Sequence, residues 1–268
     1  MCNTCGCNVT EQIKHDNPHA VEVLQGLLAG NDRQAAHNRA HFNHHGVLAI
    51  NLMSSPGAGK TALLEATIDA LKSEFSMAVI EGDLETENDA ERIRAKGVPA
   101  YQITTGTACH LDARMVHDAL HHMPLAGLDI LFVENVGNLV CPASFDLGQH
   151  LNVTLLSVTE GDDKPAKYPV IFRIADAVLV TKTDLLPYLD DFSVERVKAH
   201  VHNLASDAPV MALSARKDIE MSAWIDWLRR QCDVMRAGSG PVYRKMGPEP
   251  NYTAIKMGSE PNYTAIHK

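Results

Sequence analysis

The sequence predicts an α/β fold: a mainly parallel sheet flanked by helices. Six short apolar runs, at 47–53, 78–81, 129–134, 152–159, 177–181 and 209–213, are separated by segments of helical periodicity. Runs of this length without alternating polarity are those of strands buried on both faces. A third feature joins the first two: a small-residue loop from Ser54 to Thr61 links the first run to the first of those helical patterns. In an open parallel sheet, ligand contacts gather at such carboxyl ends of strands.

The 268 residues divide into an N-terminal Cys motif and helical extension at 1–45, a main domain at 46–236 and a tail at 237–268. That length suits one large domain with appendages and a substantial core. Near the start, Cys2, Cys5 and Cys7 crowd three thiolates into one turn-like loop, with Gly6 allowing the bend. From about 18 to 45 the chain reads as one or two helices, with Val21, Leu24, Leu27 and Leu28 as an apolar stripe. Gly30 and Asn31 read there as a helix stop and restart.

After the run 47–53 comes Ser54-Ser55-Pro56-Gly57-Ala58-Gly59-Lys60-Thr61, then a helix with Leu63, Leu64, Ile68 and Leu71 on its core face. Strand, loop, Lys-Thr and helix together are the context of a P-loop NTPase. Gly57, Ala58 and Gly59 let backbone N–H groups curl around phosphates at a helix N-terminus, Lys60 reaches the β and γ oxygens, and the Thr61 hydroxyl ligates Mg²⁺. Ser54 stands where the usual first glycine would be.

Asp83 ends the second run and Glu134 the third, and both are expected to complete the magnesium site. Glu134 resembles a Walker B carboxylate, and Gly137 three residues on offers an N–H to a γ-phosphate. Directly after 177–180 stands Thr181-Lys182-Thr183-Asp184, close to Asn-Lys-x-Asp but with Thr181 for Asn. Lys182 and Asp184 are expected to bind the base. A carboxylate at Asp184 accepts both the N1–H and the amine of guanine, whereas adenine leaves the charge stranded at a cost of about 1–3 kcal/mol. Ser214 and Ala215, after the run 209–213, match a short loop whose backbone N–H meets the guanine oxygen. GTP is therefore expected over ATP.

The remaining soft donors sit in loops beside these motifs. Cys109 and His110 are adjacent, and Cys141 follows Glu134 by seven residues. Three ligands do not close a structural zinc site, so an open or subunit-bridging site follows. Cys2, Cys5 and Cys7, with an α-amine if Met1 is removed, suit Ni²⁺ in a square plane or Zn²⁺ in a tetrahedron. His37, His41, His44 and His45 include positions four apart, a spacing that suits a weak metal site and equally a solvated helix face. His117, His121 and His122 carry a weaker form of the same signal. Cys232 lies in a helical pattern near Trp224, Trp227 and Leu228 and reads as an ordinary thiol.

A formal charge of −9 without a basic run offers no footprint for nucleic acid or an anionic membrane. No apolar stretch reaches bilayer length and the N-terminus lacks a secretory core, so the expected location is cytoplasmic. Six cysteines in a reducing compartment favour metal or redox chemistry over disulfides. Residues 246–256 recur almost unchanged from 257 onward, an 11-residue duplication read as a flexible tail outside the fold.

Together with Thr107-Ala108-Cys109-His110-Leu111-Asp112 and the stretches 134–142 and 159–169, these motifs make the chain resemble the HypB family of hydrogenase nickel-incorporation GTPases, of the class that includes urease accessory G proteins. The match runs from Met1 to about Arg236. The resemblance implies slow, Mg²⁺-dependent GTP hydrolysis and dimerisation promoted by GTP or metal. It also implies nickel delivery to the large subunit of a nickel–iron hydrogenase, with the metallochaperone HypA as partner. On the same basis Cys109, His110 and Cys141 form a Ni²⁺ or Zn²⁺ site near the dimer interface, and Cys2, Cys5 and Cys7 form a tight N-terminal nickel site. Lys164 or Lys167 would approach a phosphate across the dimer. Two other readings fit the motifs: a maturation GTPase for another metalloenzyme, of the urease or cobalamin type, and a non-enzymatic nickel or zinc store.

Overall fold

The structure, a computed structural model, describes residues 18–83 and 87–238, with side chains from residue 27 onward. A long helix α1 (Pro18–His45) leads into β1 (Leu48–Ser54), followed by α2 (Lys60–Leu71), β2 (Met77–Asp83), α3 (Asn88–Ala95) and β3 (Ala100–Thr104). Next come α4 (Ala113–Leu120), β4 (Ile130–Glu134), a 3-10 turn (Cys141–Ser144), β5 (Leu151–Ser157), and the short α5 (Lys164–Lys167) and α6 (Pro169–Arg173). The chain continues through β6 (Ala177–Thr181), a 3-10 segment (Thr183–Tyr188), α7 (Val194–Asn203), β7 (Val210–Ala212) and α8 (Met221–Arg236). All seven strands pair in parallel, in the order β3-β2-β4-β1-β5-β6-β7.

The apolar runs are strands because each serves two cores. Along β1, Leu48, Ile50 and Leu52 join the cluster under α2 and α8, while Ala49 and Val47 before it face α1 and α4. Likewise Ile130 and Phe132 of β4 face one way and Leu131 and Val133 the other. Trp224 of α8 is fully buried and donates its Nε1–H to Thr67 Oγ1 at 2.9 Å, which removes the cost of burying a polar tip. Cys232 lies in the same cluster, and burial pushes its thiol up to about 12, so it is a core residue and no metal ligand.

A third cluster, from Met53 of β1 across β5 and β6 to α6 and α7, shares a sheet face with the α1–α4 core. Between these two runs a row of buried amides. Asn135 Nδ2 donates to Asn51 Oδ1 (3.2 Å), Asn51 Nδ2 to Asn152 Oδ1 (3.2 Å) and Gln149 Nε2 to Asn152 Oδ1 (2.9 Å). Buried amides bonded to one another in this way specify a register that apolar side chains would leave adjustable.

Two expectations about elements are corrected. Six strands were expected and seven form, because β3 is an edge strand whose half-exposed Tyr101 and Gln102 hide the apolar run. The helix 18–45 does not stop at Gly30 and Asn31; it is one helix. Asn31 acts as a tertiary anchor, donating to Asp146 O at 2.8 Å and accepting from Ala113 N at 2.9 Å. Asn38 donates to Ala113 O and Leu147 O. Such bonds offset the roughly 1 kcal/mol that Gly30 costs a helix. Of the predicted stripe, Leu28 is half-buried and Leu27 is exposed; the side chains of Val21 and Leu24 lie outside those described. The tail from 239 onward and the Cys2, Cys5 and Cys7 motif also lie outside the described residues. No helix among the described residues is long and apolar enough to cross a membrane.

Candidate functional site

β1 is the strand at which the chain reverses direction across the sheet: β2 and β3 lie on one side, beyond β4, and β5 to β7 on the other. A crevice opens there beyond the strands' carboxyl ends. Its cleft of about 640 Å³ is lined by the whole of Gly57 to Thr61. Asp83, Glu134, Gly137, Lys182, Asp184, Ser214 and Ala215 line it as well, so every predicted nucleotide-site residue meets in one place.

The P-loop turns through Gly57 (φ 74°) and Gly59 (φ 97°), left-handed conformations that favour glycine. Gly59 caps α2 without a side-chain bond, leaving the helix's first N–H groups directed at the cleft. Lys60 is only 7% exposed, and its Nζ donates to Ser54 Oγ at 2.9 Å. The serine in place of the usual glycine thus holds the lysine. Thr61 Oγ1 donates to Glu134 Oε1 at 3.0 Å.

On the base side, Thr181 Oγ1 donates to Ala58 O at 2.7 Å and Lys182 Nζ to Gly57 O at 2.6 Å. The loop tie expected of asparagine is therefore made by threonine. Asp184 Oδ1 accepts from Ser214 Oγ at 2.5 Å, which aligns the carboxylate. The Ser214 N–H is spent on Ile219 O, so the backbone donor for a base falls to Ala215.

Sequence reasoning missed Glu81, which stands beside Glu134 in the β2–β4 register and is 2% exposed. Burial, then the neighbouring Glu134, push its carboxyl up to about 11. Burial raises Glu134 too, while Lys60 and hydrogen bonds from Glu81 and Thr61 pull it back. The pair is best described as sharing one proton, with the negative charge facing Lys60 and Thr61. The only advance signal was Glu81's position two residues before Asp83. Arg92 also lines the cleft, but Glu65 and Asp89 hold its guanidinium. Lys167 is paired with Asp163 at 2.5 Å, and Lys164 lies over the Tyr168 ring.

Glu134 Oε2 and Glu81 Oε1 are buried without a hydrogen-bond partner among the described residues. The unpartnered Glu134 oxygen, with the Thr61 hydroxyl and Asp83 lining the same cleft, forms a hard oxygen set that fits Mg²⁺.

The second constellation lies at the far end of the Glu134 loop. Cys109 Sγ is 3.1 Å from Cys141 Sγ and 3.8 Å from His110 Nδ1, and the three donor atoms all lie within 4.8 Å of one another. Two sulfurs and an imidazole suit a borderline or soft ion. His110 is buried with its ring stacked on Phe145 at 3.9 Å, and burial lowers its pKa, keeping the imidazole neutral and able to ligate.

Two close approaches join the centres. A Cβ on Gly137 would lie 2.8 Å from Pro56 N and Cα, so this loop rests on the P-loop. Asn135 Oδ1 accepts from Leu111 N at 3.2 Å, tying the residue after Glu134 to the residue after His110. Gly137→Ala is expected to displace the P-loop backbone and weaken nucleotide binding roughly tenfold, from an overpacking cost of about 1–3 kcal/mol. Titration with a fluorescent GTP analogue reads this directly, and unchanged affinity would show that the contact is dispensable.

A family model described as CobW/HypB/UreG, nucleotide-binding domain, matches residues 48–212. The hydrogenase maturation factor HypB of Azotobacter chroococcum mcd 1 is 53% identical over 213 residues, covering 79% of this chain and 69% of that protein. The hydrogenase/urease maturation factor HypB of Helicobacter hepaticus is 48% identical over 211 residues, covering 77% and 86%. A crystal structure of HypB from Helicobacter pylori in complex with nickel superposes with a TM-score of 0.74 at 40% identity, covering 82% of this chain and 99% of that one. Cleft, donor cluster and these likenesses lead to one conclusion: the chain belongs to the CobW/HypB/UreG family, among its HypB members.

Proposed function

We propose that this chain is a GTP-hydrolysing nickel metallochaperone that delivers Ni²⁺ during maturation of a nickel–iron hydrogenase, its metal centre coupled to the nucleotide switch. One observation carries the reading. The segment leaving Glu134 rests on the P-loop at Gly137 and ends by bringing Cys141 to Cys109 and His110. A change at the γ-phosphate therefore moves a nickel ligand.

In this reading the N–H groups of Gly57 to Thr61 cradle the phosphates, and Lys60 leaves Ser54 to meet the β and γ oxygens. Thr61, Asp83 and Glu134 hold Mg²⁺, which when bound neutralises phosphate charge. Gly137 offers its N–H to the γ-phosphate. Lys182 braces the P-loop, Asp184 accepts from guanine, Ser214 orients that carboxylate and Ala215 N–H meets the guanine oxygen. Of the two arginines that line the cleft, Arg92 is already held by Glu65 and Asp89 and Arg216 follows Ala215 in the loop on the base side, so positioning of water rests on Lys60 and supports only slow turnover.

Nickel is cargo, held by Cys109, His110 and Cys141 with a fourth ligand from water or a second copy of the chain, and Zn²⁺ competes for the same donors. Cys2, Cys5 and Cys7 hold a second nickel ion. Partners are a second copy, the metallochaperone HypA and the hydrogenase large subunit, all in the cytoplasm. The working units are an N-terminal motif and helical extension (1–45), a GTPase domain (46–236) and a tail (237–268). A urease-type client is the second reading, favoured by the hydrogenase/urease designation of the Helicobacter hepaticus relative.

The test is a nickel titration of protein carrying Cys2→Ala, Cys5→Ala and Cys7→Ala, with GDP and with a non-hydrolysable GTP analogue. Coupling of about 1–3 kcal/mol predicts affinities that differ roughly five- to 150-fold. Equal affinity and stoichiometry in the two nucleotide states would overturn the switch.

A further inference from the structure

Helices α1 and α4 carry histidines at matching four-residue intervals, and the fold brings them together. The rings of His37 and His41 on α1 lie 4.6 Å apart between centroids, and His117 of α4 lies 5.2 Å from His37 and 6.2 Å from His41. His121, the C-cap of α4, is 4.9 Å from His117. Four imidazoles from two helices thus share one patch, some eighty residues apart in the chain. His37 Nε2 and His41 Nε2 are hydrogen-bonded to each other at 3.1 Å, a contact that a metal ion would replace. Two imidazole nitrogens on one ion, at about 2.0–2.1 Å each and angles of about 90–110°, stand about 2.9–3.4 Å apart, so this pair already has a chelating separation. His117 Nδ1 is buried and has no hydrogen-bond partner among the described residues.

We propose that His37, His41, His117 and His121 form a second divalent-metal site, built of imidazoles alone and separate from the cysteine centre. The class of ion is a borderline first-row cation such as Ni²⁺ or Zn²⁺, which imidazole suits. Three-donor convergence within 4.8 Å occurs among the described residues only at Cys109, His110 and Cys141, so the α1–α4 site is a two-nitrogen chelate that rotation of His117 and His121 completes. Loose preorganisation predicts weaker, more exchangeable binding than at the cysteines.

Neutral imidazoles are required, and the surroundings favour them. Burial and the neighbouring histidines His37, His44, His45 and His121 lower the pKa of His41. Burial and His121, His37 and His41 lower that of His117, against an opposing contribution from Asp118. His37, His41 and His121 are exposed and His117 is half-buried, so an ion from solvent reaches the patch, where the His117 Nδ1 has no hydrogen-bond partner among the described residues. α4 starts at the Asp112 cap two residues after His110, and His117 follows that cap by five residues, about 7.5 Å of helical rise.

The experiment uses the full chain with Cys2, Cys5, Cys7, Cys109 and Cys141 replaced by serine, titrated with Ni²⁺ by equilibrium dialysis and observed by X-ray absorption. One saturable ion per chain, coordinated by nitrogen and oxygen only, is expected. His37→Gln with His117→Gln should weaken it at least tenfold, whereas His44→Gln with His45→Gln should change it less than twofold. In the protein carrying only the five cysteine-to-serine changes, Ni²⁺ should broaden the ring proton signals of His37, His41, His117 and His121 first, a readout that does not depend on any histidine variant folding. No saturable ion, equal affinity in the His37/His117 variant, or broadening confined to other histidines would overturn the site. None of these results bears on nucleotide coupling, so failure here is distinct from failure of the proposed GTPase cycle.

Discussion

Lys60→Ala is expected to slow GTP hydrolysis at least about 100-fold, the loss typical of removing one preorganised charge from a developing transition state, about 3 kcal/mol. The side chain is nearly buried and anchored on Ser54 Oγ, so its ammonium is held at the floor of the cleft in advance of any phosphate. That placement is why the effect should appear in the rate of the chemical step and not in affinity alone. Alanine is the best helix former at the first position of α2, so the helix itself should persist. Its loss also leaves the Glu81–Glu134 pair without the cation that draws Glu134 toward its charged form. Single-turnover phosphate release checks the expectation. A variant that hydrolyses GTP at the parent rate would remove the enzymatic reading and leave a metal store.

The second large effect concerns the metal. In protein lacking the three N-terminal thiols, Cys141→Ser is expected to lower nickel affinity by more than about 100-fold, beyond the roughly 10–100-fold cost of losing a supporting group around a metal. Cys141 supplies one of only two sulfurs in the cluster, and a serine hydroxyl is a harder donor that does not ionise at neutral pH. The loss of the nickel–thiolate absorption band and equilibrium dialysis measure it together. Retained affinity would mean that nickel binds elsewhere, and the link from Glu134 to the metal would lose its ligand.

Much of the sheet was legible because its strands are buried on both faces, which forces apolar runs such as those of β1 and β4. The strand that escaped notice, β3, sits at an edge where one side needs no core. The long helix was misjudged at Gly30 because its continuity depends on Asn31 and Asn38 bonding to residues more than seventy positions away. Glu81 was invisible for a related reason: a carboxyl becomes unusual only when a second one is set beside it across a sheet. The histidines could be read as a spacing on α1 but not as a cluster, since their counterparts lie on α4.

By itself the sequence determined the chemistry of the parts. A P-loop, a guanine-type loop and soft donors are local patterns, set by backbone freedom at glycine and by the reach of individual side chains. Only the tertiary structure decided that Cys109 and His110 meet Cys141, that Thr181 ties down the P-loop, and that Gly137 leaves just enough room for Pro56. Those facts depend on strand order and on contacts of a few ångströms between distant segments, and local periodicity carries no record of either.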